Sequence, residues 1–477
     1  MKNTITAVAA LVLALPALGQ QASQGQTAFS LDQAVAYGLE HSVQVRNATT
    51  DYKTSRNRVG EIRAAGLPQI NASAGFQHNP NKLIQRFVLE YGPATSAFTG
   101  GQALPADANG KPFGLGLSLP NTGSASIQLT QLLFSGSYLL GLRAASVYTD
   151  LTSKQVQQAR ISQKSAIMKA YYQAMVGQEQ SKLLDYNLSR IDTTLRNTQA
   201  LFKNGFAENI DVYRLEVQRN NLLADKENTM RQIDLAISAL KFAMGYPIEQ
   251  PLTITDKLEN AKLDAAIKPD GYGAYDQRIE YSILSTQEEL AKLDLKNKKA
   301  GYLPTLSGSA SLGALSAASQ GINIFKEIPG KWQSSENPAL QGQRWYGNAA
   351  VGVQLNLPIF DGGTKHYQIQ QSKLQLQKVR DSRELLKNSI DFEVDRANIS
   401  AANARSRVAT QERNLALAKE VVRVTRIKYQ QGVGSSLEVT NAETDLRVAQ
   451  TNYYAALYDA LVAKVDADVA TGRISAQ

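Results

Sequence analysis

Between residues 390 and 425 the apolar positions Ile390, Val394, Ala397, Ala401, Ala404 and Val408 recur at alternating steps of four and three, continuing through Gln411, Leu415, Ala418, Val422 and Thr425. That spacing keeps one stripe facing a partner helix, the seam of a coiled coil. The same stripe occurs 227 residues earlier, from Gln163, Ile167, Ala170 and Ala174 to Leu184, Leu188, Ile191, Leu195 and Thr198. Small residues at many of these positions allow close helix approach, and Gln, Lys, Arg and Asn occupy the outward ones. No proline interrupts the chain from Gly136 to Gly205 or from Gly362 to Gly432. Each span is therefore read as one helix of roughly 100 Å, followed by a return helix over about residues 208–243 and 435–470.

Ahead of each long helix the period changes to two. In "LPQINASAGFQ", Ile70, Ala72, Ala74 and Phe76 alternate with Asn71, Ser73, Gly75 and Gln77; "SASIQLTQLLF" sets Ala125, Ile127 and Leu129 against Ser126, Gln128 and Thr130. "YLPTLSGSASLGA" and "NAAVGVQLNLPIF" do the same with Leu306, Ala310 and Leu312, and with Val351, Val353, Leu355 and Leu357. These are four strands of about ten residues, each with one apolar face and one small polar face, which fits lipid on one side and water on the other. Phe76, Phe134, Tyr302, Trp345, Tyr346 and Phe360 stand near strand ends as candidate interfacial aromatics. Segments 80–123 and 319–343, rich in Gly, Pro, Ser and Asn, are expected to be loops on the side away from the helices. Four strands cannot close a barrel alone, and an open edge in lipid leaves backbone groups unpaired, so the chain is expected to oligomerise.

The two helix turns, "LFKNGFAENIDVYRLEVQ" from Leu201 and "YQQGVGSSLEVTNAETDL" from Tyr429, are altered copies in which Gly205 matches Gly432, Asp211 matches Glu438 and Glu216 matches Glu443. Glycine after the last helical residue is the expected left-handed cap, and a carboxylate in the following first turn meets the positive end of the helix dipole. The duplication divides the chain into a first repeat at 20–245, a Pro- and Gly-marked linker at 246–275 and a second repeat at 276–477, after a leader at 1–19. In that leader Lys2 precedes an apolar run that ends in Ala17-Leu18-Gly19, the pattern of a secretory signal peptide cleaved near Gln20.

Export raises the question of staples, and the 477 residues contain no cysteine, so neither disulfides nor thiolate metal sites contribute. The 51 basic and 42 acidic residues give a net charge of +9, but they are interleaved and form no block, which argues for a solvated helical surface and against nucleic acid as a partner. After the leader no apolar run approaches the length of a spanning helix, so membrane crossing is expected of the strands. His41, His78 and His366 are far apart in sequence, and neither "GVGSSL" nor "GGTK" has the context of a phosphate loop. The chain is read as a non-enzyme with no cofactor and no metal.

The order helix, strand, strand, long helix, turn, return helix, present twice, resembles the TolC family of outer-membrane efflux and secretion channels. The strand openings "GLPQINASA" and "GYLPTLSGSA", the junctions "QLTQLLFSG" and "QLNLPIFDG" and the two turns carry the likeness. It implies a mainly α fold with β, in which duplicated long antiparallel helices form a periplasmic α-barrel. The four strands contribute to a trimeric twelve-stranded β-barrel in outer-membrane lipid. It also implies an exit duct joined to an inner-membrane transporter through a periplasmic adaptor. By the same resemblance Tyr429 matches a tyrosine of the closing network, and Asp211 and Glu438 match acidic lumen positions. Gly205, Phe206, Gly432, Val433 and Gly434 match the tips that meet the adaptor. Gly434 stands where some members carry an arginine that locks the closed state, and Asn441 where they carry a second aspartate, so fewer charge links and a less acidic ring are expected. A secreted trimeric coiled-coil adhesin would share the seam and the oligomer, but has no use for strand pairs apolar on one face.

Overall fold

A computed structural model describes residues 27–78, 84–88, 112–116, 121–258, 275–318 and 345–474. The leader, the 319–343 segment and much of the linker lie outside these residues. In chain order the elements are β1 (Ala28–Phe29), α1 (Leu31–His41), α2 (Val43–Ala64), β2 (Gln69–His78), β3 (Ile84–Val88), β4 (Pro112–Gly116), β5 (Asn121–Ser135), α3 (Gly136–Lys203) and α4 (Asn209–Met244). They continue with β6 (Thr253–Ile254), α5 (Ile279–Ala300), β7 (Thr305–Ala318), β8 (Trp345–Asn356), α6 (Thr364–Gln430) and α7 (Ser436–Ala470). The long helices run 68 and 67 residues without a break. One expectation is corrected: the 80–123 segment is not all loop, because β3 and β4 pair antiparallel from Ile84↔Gly116 to Val88↔Pro112.

One compact unit comprises residues 50–154 and 282–385. Its four-stranded antiparallel sheet has the order β2-β5-β7-β8, which leaves β2 and β8 as edges. The register puts Ala72 beside Ile127, Ile127 beside Leu312 and Ala310 beside Val351, so the apolar residues of all four strands share one face. The opposite face carries Ser73, Ser126, Ser309 and Gln354, with the Ser73 and Ser126 hydroxyls 2.9 Å apart. Val351 is 88% exposed and Ile70 68%, a face that no described residue covers.

In the same unit Glu288 is buried on α5, yet its carboxylate meets Lys292 at 2.8 Å, Arg380 at 3.3 Å and Arg383 at 2.6 Å, the two arginines coming from α6. The hydrogen bond from Lys292 leads the causes that hold its pKa below the ordinary range, against an opposing contribution from burial. Its contribution to stability is present above the unfolded carboxylate value of about 4.3 and is lost as pH falls through the lowered folded value. Acid unfolding of Glu288→Gln is therefore expected to be less steep than that of the parent below about pH 4.3, read by helical circular dichroism. Identical acid profiles would show that this cluster does not couple to folding.

The second compact unit comprises the described residues up to 49, 155–281 and 386 onward. Its core gathers Phe29, Ile167, Tyr171, Leu240, Met244 and Leu461. Burial of each such side chain contributes about 1.5–3 kcal/mol. The Tyr171 hydroxyl donates to the Phe29 carbonyl at 3.0 Å and accepts from the Asp256 amide at 3.3 Å, so its polar tip is satisfied inside the core. Along the seams Ile390, Val394, Ala397, Ala401 and Ala404 are buried, as are Ile167, Ala174, Leu184, Ile191 and Thr198.

Helix α4 ends at Gly245, whose φ is 68° and whose missing Cβ would lie 2.9 Å from the His41 carbonyl oxygen. Gly205 has a similar φ of 77° with open space around it. The left-handed backbone alone costs a side chain about 1–2 kcal/mol. Gly205→Ala is expected to lose about that much, and Gly245→Ala distinctly more because it adds a backbone clash. Thermal melts of the two variants side by side test this, and equal losses would rule out the close approach as the reason for Gly245.

Candidate functional site

The two turns close with the same hydrogen bonds. In the first, the Phe206 amide donates to the Leu201 carbonyl at 2.9 Å and Gly205 to Phe202 at 3.0 Å. In the second, Val433 donates to Lys428 and Gly432 to Tyr429, both at 3.0 Å. This paired pattern satisfies the last helical carbonyls and requires the left-handed glycine, with φ 77° at Gly205 and 75° at Gly432. It leaves Phe206 80% and Val433 75% exposed, an apolar side chain at each tip.

The carboxylates expected to act together have different surroundings. Asp211 accepts from the Glu208 amide at 3.4 Å, as a helix-start residue does, and lies 3.6 Å from Arg214. It also accepts from the Ser436 hydroxyl, which ties the start of α4 to the start of α7. Glu438 is exposed; its amide, not its side chain, is capped by the Ser435 hydroxyl at 3.2 Å. Asn441 is exposed as well. Tyr429 is half-buried, with its hydroxyl 3.3 Å from that of Thr198 on α3. The glycine at 434 has a local cause. A Cβ there would lie 3.1 Å from the Tyr429 amide nitrogen and from Lys428 Cβ, so the turn closes against its own preceding helix where other side chains would crowd it.

Further along the hairpin stands a cluster that the sequence did not single out. Glu443 on α7 is buried and receives Arg190 from α3 and, at 3.2 Å, Arg426 from α6. Arg190 also donates to Asn187 at 3.0 Å, and Asn187 donates to Gln450 on α7 at 2.7 Å. Arg426 reaches the Thr194 hydroxyl at 3.5 Å. Three helices are thus joined by one polar network. Burial pushes the Glu443 carboxyl up despite the pull of both arginines, and the same burial pushes Arg426 down. Two cations face one carboxylate there, and a groove of about 770 Å³ beside them is lined by Tyr186, Ser189, Asn197 and Tyr429. The sequence signal available was the pairing of Glu443 with Glu216 in the two repeats; which helix supplies the arginines was not written in it.

Each of the three histidines has its own surroundings. His41 stacks on Tyr37 at 4.0 Å between ring centres, His78 lies 2.7 Å from the Asn121 side-chain oxygen, and His366 is exposed on α6. Among the described residues no group of three metal-binding side chains occurs, and no helix is long and apolar enough to cross a membrane.

Residues 286–473 match the family model described as outer membrane efflux protein. The chain is 25% identical over 366 residues to the outer membrane efflux protein BepC of Brucella suis, covering 74% of this chain and 73% of that protein. It is 23% identical over 451 residues to the outer membrane protein TolC of Escherichia coli, covering 91% and 80%. In fold it resembles the open-state crystal structure of the Neisseria gonorrhoeae MtrE outer membrane channel, with a TM-score of 0.69 at 18% identity over 93% of this chain and 88% of that one. Duplicated hairpins, the one-face-apolar sheet and these relatives agree: the chain is similar to outer-membrane efflux channel proteins of the TolC kind, and its residues 286–473 match the outer membrane efflux protein model.

Proposed function

We propose that this protein is the exit duct of an efflux or secretion machine, a homotrimer that carries cargo passively through the outer membrane. The observation that bears most weight is the β2-β5-β7-β8 sheet, apolar on one face, small and polar on the other, and unpaired at both edges among the described residues. Joining β8 of one copy to β2 of the next removes every edge after three copies and yields twelve strands around a polar lumen. The duct works by conduction and not by chemistry on the cargo. Its energy comes from an inner-membrane transporter, joined to it through a periplasmic adaptor that meets Phe206 and Val433 at the tips. The division into repeats at 20–245 and 276–477, with the linker between, is part of this reading.

Asp211 and Glu438, one in each repeat, are proposed to form an acidic ring at the periplasmic entrance, with Tyr429 and Asn441 beside it. Carboxylates focused in a narrow lumen attract cations. Asp211 is engaged by Ser436 and Arg214, so Glu438 is assigned the larger share of the field. In planar bilayers, single-channel currents of Glu438→Ala are expected to lose cation preference and divalent block, and Asp211→Ala to lose less. Unchanged selectivity in the double variant would leave both carboxylates as helix-start residues.

A further inference from the structure

Strands β2, β5, β7 and β8 hold no Lys, Arg, Asp or Glu, and the charges begin where the helices do. Towards the sheet, the final turns of α2 contain Arg56, Arg58 and Arg63 against Glu61, and those of α5 contain Lys292, Lys296, Lys298 and Lys299 against Asp294. Helix α3 carries Arg143 and α6 carries Lys365 and Lys373 near their starts, with no carboxylate inside either helix before Asp150 and Asp381.

Helix polarity does not account for this band. Helices α2 and α5 end at the sheet, where the dipole favours cations, but α3 and α6 start there, where it favours carboxylates. Where α4 and α7 start, the rule is followed, with Asp211 and Glu438 in the first turns. The cations beside the sheet therefore follow their distance from it and not the direction of the helix. The carboxylates among them are engaged: Glu61 by Arg58, Asp294 by the Ser372 hydroxyl at 2.8 Å and Asp361 by Lys365 at 3.1 Å. Among the described residues Arg63, Lys296, Lys298 and Lys299 have no carboxylate partner. Exposed apolar side chains follow them directly, Leu67 after Arg63 and Leu303 after Lys299, and Phe360 at the start of the α6 junction is 89% exposed.

We infer that Arg63, Lys296, Lys298 and Lys299 form a collar that binds the phosphodiester headgroups of anionic phospholipid in the leaflet on the helix side of the sheet. Unpaired guanidinium and ammonium groups next to exposed apolar side chains match a ligand that joins a phosphate to acyl chains. The heights agree. With the apolar face of the sheet in hydrocarbon, the helix ends enter a headgroup layer about 5–8 Å deep in each leaflet. At a rise of about 1.5 Å per residue, all four cations lie within about 6 Å of their helix ends along the axis. The uncharged strands have no group of their own to fix their depth, and the collar supplies it on this side. This rests on the membrane placement proposed above.

The test reconstitutes the full-length protein in phosphatidylcholine vesicles containing a trace of spin-labelled phosphatidylglycerol or spin-labelled phosphatidylcholine. Electron spin resonance then reads the share of each lipid immobilised at the protein. The parent is expected to prefer phosphatidylglycerol by about threefold or more at low salt, and to lose that preference in about 1 M salt, where the Debye length is about 3 Å. Arg63→Gln/Lys296→Gln/Lys298→Gln/Lys299→Gln should bring the ratio to about one, and Lys298→Gln/Lys299→Gln, for use if the fourfold variant does not assemble, to about half the parent's. Lys203→Gln/Arg413→Gln/Lys419→Gln/Lys428→Gln removes the same charge near the turns and should keep the parent's ratio. Immobilised lipid without selectivity in the parent, or equal loss in the turn variant, overturns the collar and leaves the membrane placement standing. An unchanged ratio in the collar variant together with altered anion passage in planar bilayers would put these cations in the lumen and overturn the collar as well. A parent that immobilises neither lipid overturns the membrane placement and the collar together.

Discussion

Replacing Ile127 by arginine is expected to abolish the outer-membrane trimer. Ile127 lies mid-strand in β5, beside Ala72 and Leu312, on the sheet face that no described residue covers. A guanidinium near the middle of the hydrocarbon costs about 2–4 kcal/mol per chain on a lipid-facing barrel position, and closure repeats the substitution three times. The neighbouring Gln128→Arg points to the opposite face and is expected to leave trimer yield within about twofold, while shifting ion selectivity. Heat-resistant trimer bands from outer-membrane fractions measure both. Normal trimer from Ile127→Arg, or loss of trimer from Gln128→Arg alone, would reverse the assignment of lipid and lumen faces.

The second large effect is expected at Glu443. Truncation to alanine leaves Arg190 and Arg426 in a partly buried site without their carboxylate. Removing one partner of a buried ion cluster costs about 3–5 kcal/mol, whereas the neutral isostere in Glu443→Gln keeps hydrogen-bond acceptance and costs less. Thermal loss of helical circular dichroism should therefore fall well below the parent for Glu443→Ala, with Glu443→Gln between them. The pH dependence has the opposite sign to that of Glu288. With the Glu443 carboxyl raised on folding by burial, its contribution is full below the unfolded value of about 4.3 and is lost as pH rises through the raised folded value. The parent should thus lose more stability than Glu443→Gln over that rise, the charged groups acting on it being Arg190 and Arg426. Matching losses would mean that the arginines compensate the buried charge fully.

Two buried glutamates in one chain are thus expected to respond to acid in opposite directions, and the reason is local supply. Glu288 takes contacts from three cations, one of them a lysine on its own helix four residues on. Glu443 has two, both reached from other helices, and one of them shares its guanidinium with Asn187.

Much of this was legible along the chain because periodicity is a local property. The step of four and three placed Ile390, Val394 and Ile167 in the interior, and they are buried there. The alternation of Ile70, Ala72 and Ala74 with small polar residues gave a strand with one apolar face, and the register keeps that face continuous across all four strands. Glycine at 205 and 432 marked both turns because a left-handed cap depends on one residue and its immediate neighbours. The 80–123 segment misled: among its turn-forming residues the short strand "IQRFV", which pairs with "PFGLG", carries no regular apolar–polar alternation to mark it.

By itself, then, the sequence determined the helix lengths and the strand faces and carried the likeness to outer-membrane efflux channels, each set by spacing or by residues close together in the chain. Only the tertiary structure decided which charges meet. Arg190 and Glu443 are 253 residues apart, and nothing in the periodicity of either helix distinguishes them from solvated neighbours. The structure also separated Asp211, tied to Ser436, from its repeat partner Glu438, whose side chain stands exposed. A heptad pattern says which face of a helix is covered. Which helix covers it, and at what height, depends on how four long rods are set against one another, and one residue of axial shift would exchange a buried ion pair for a buried unpaired charge.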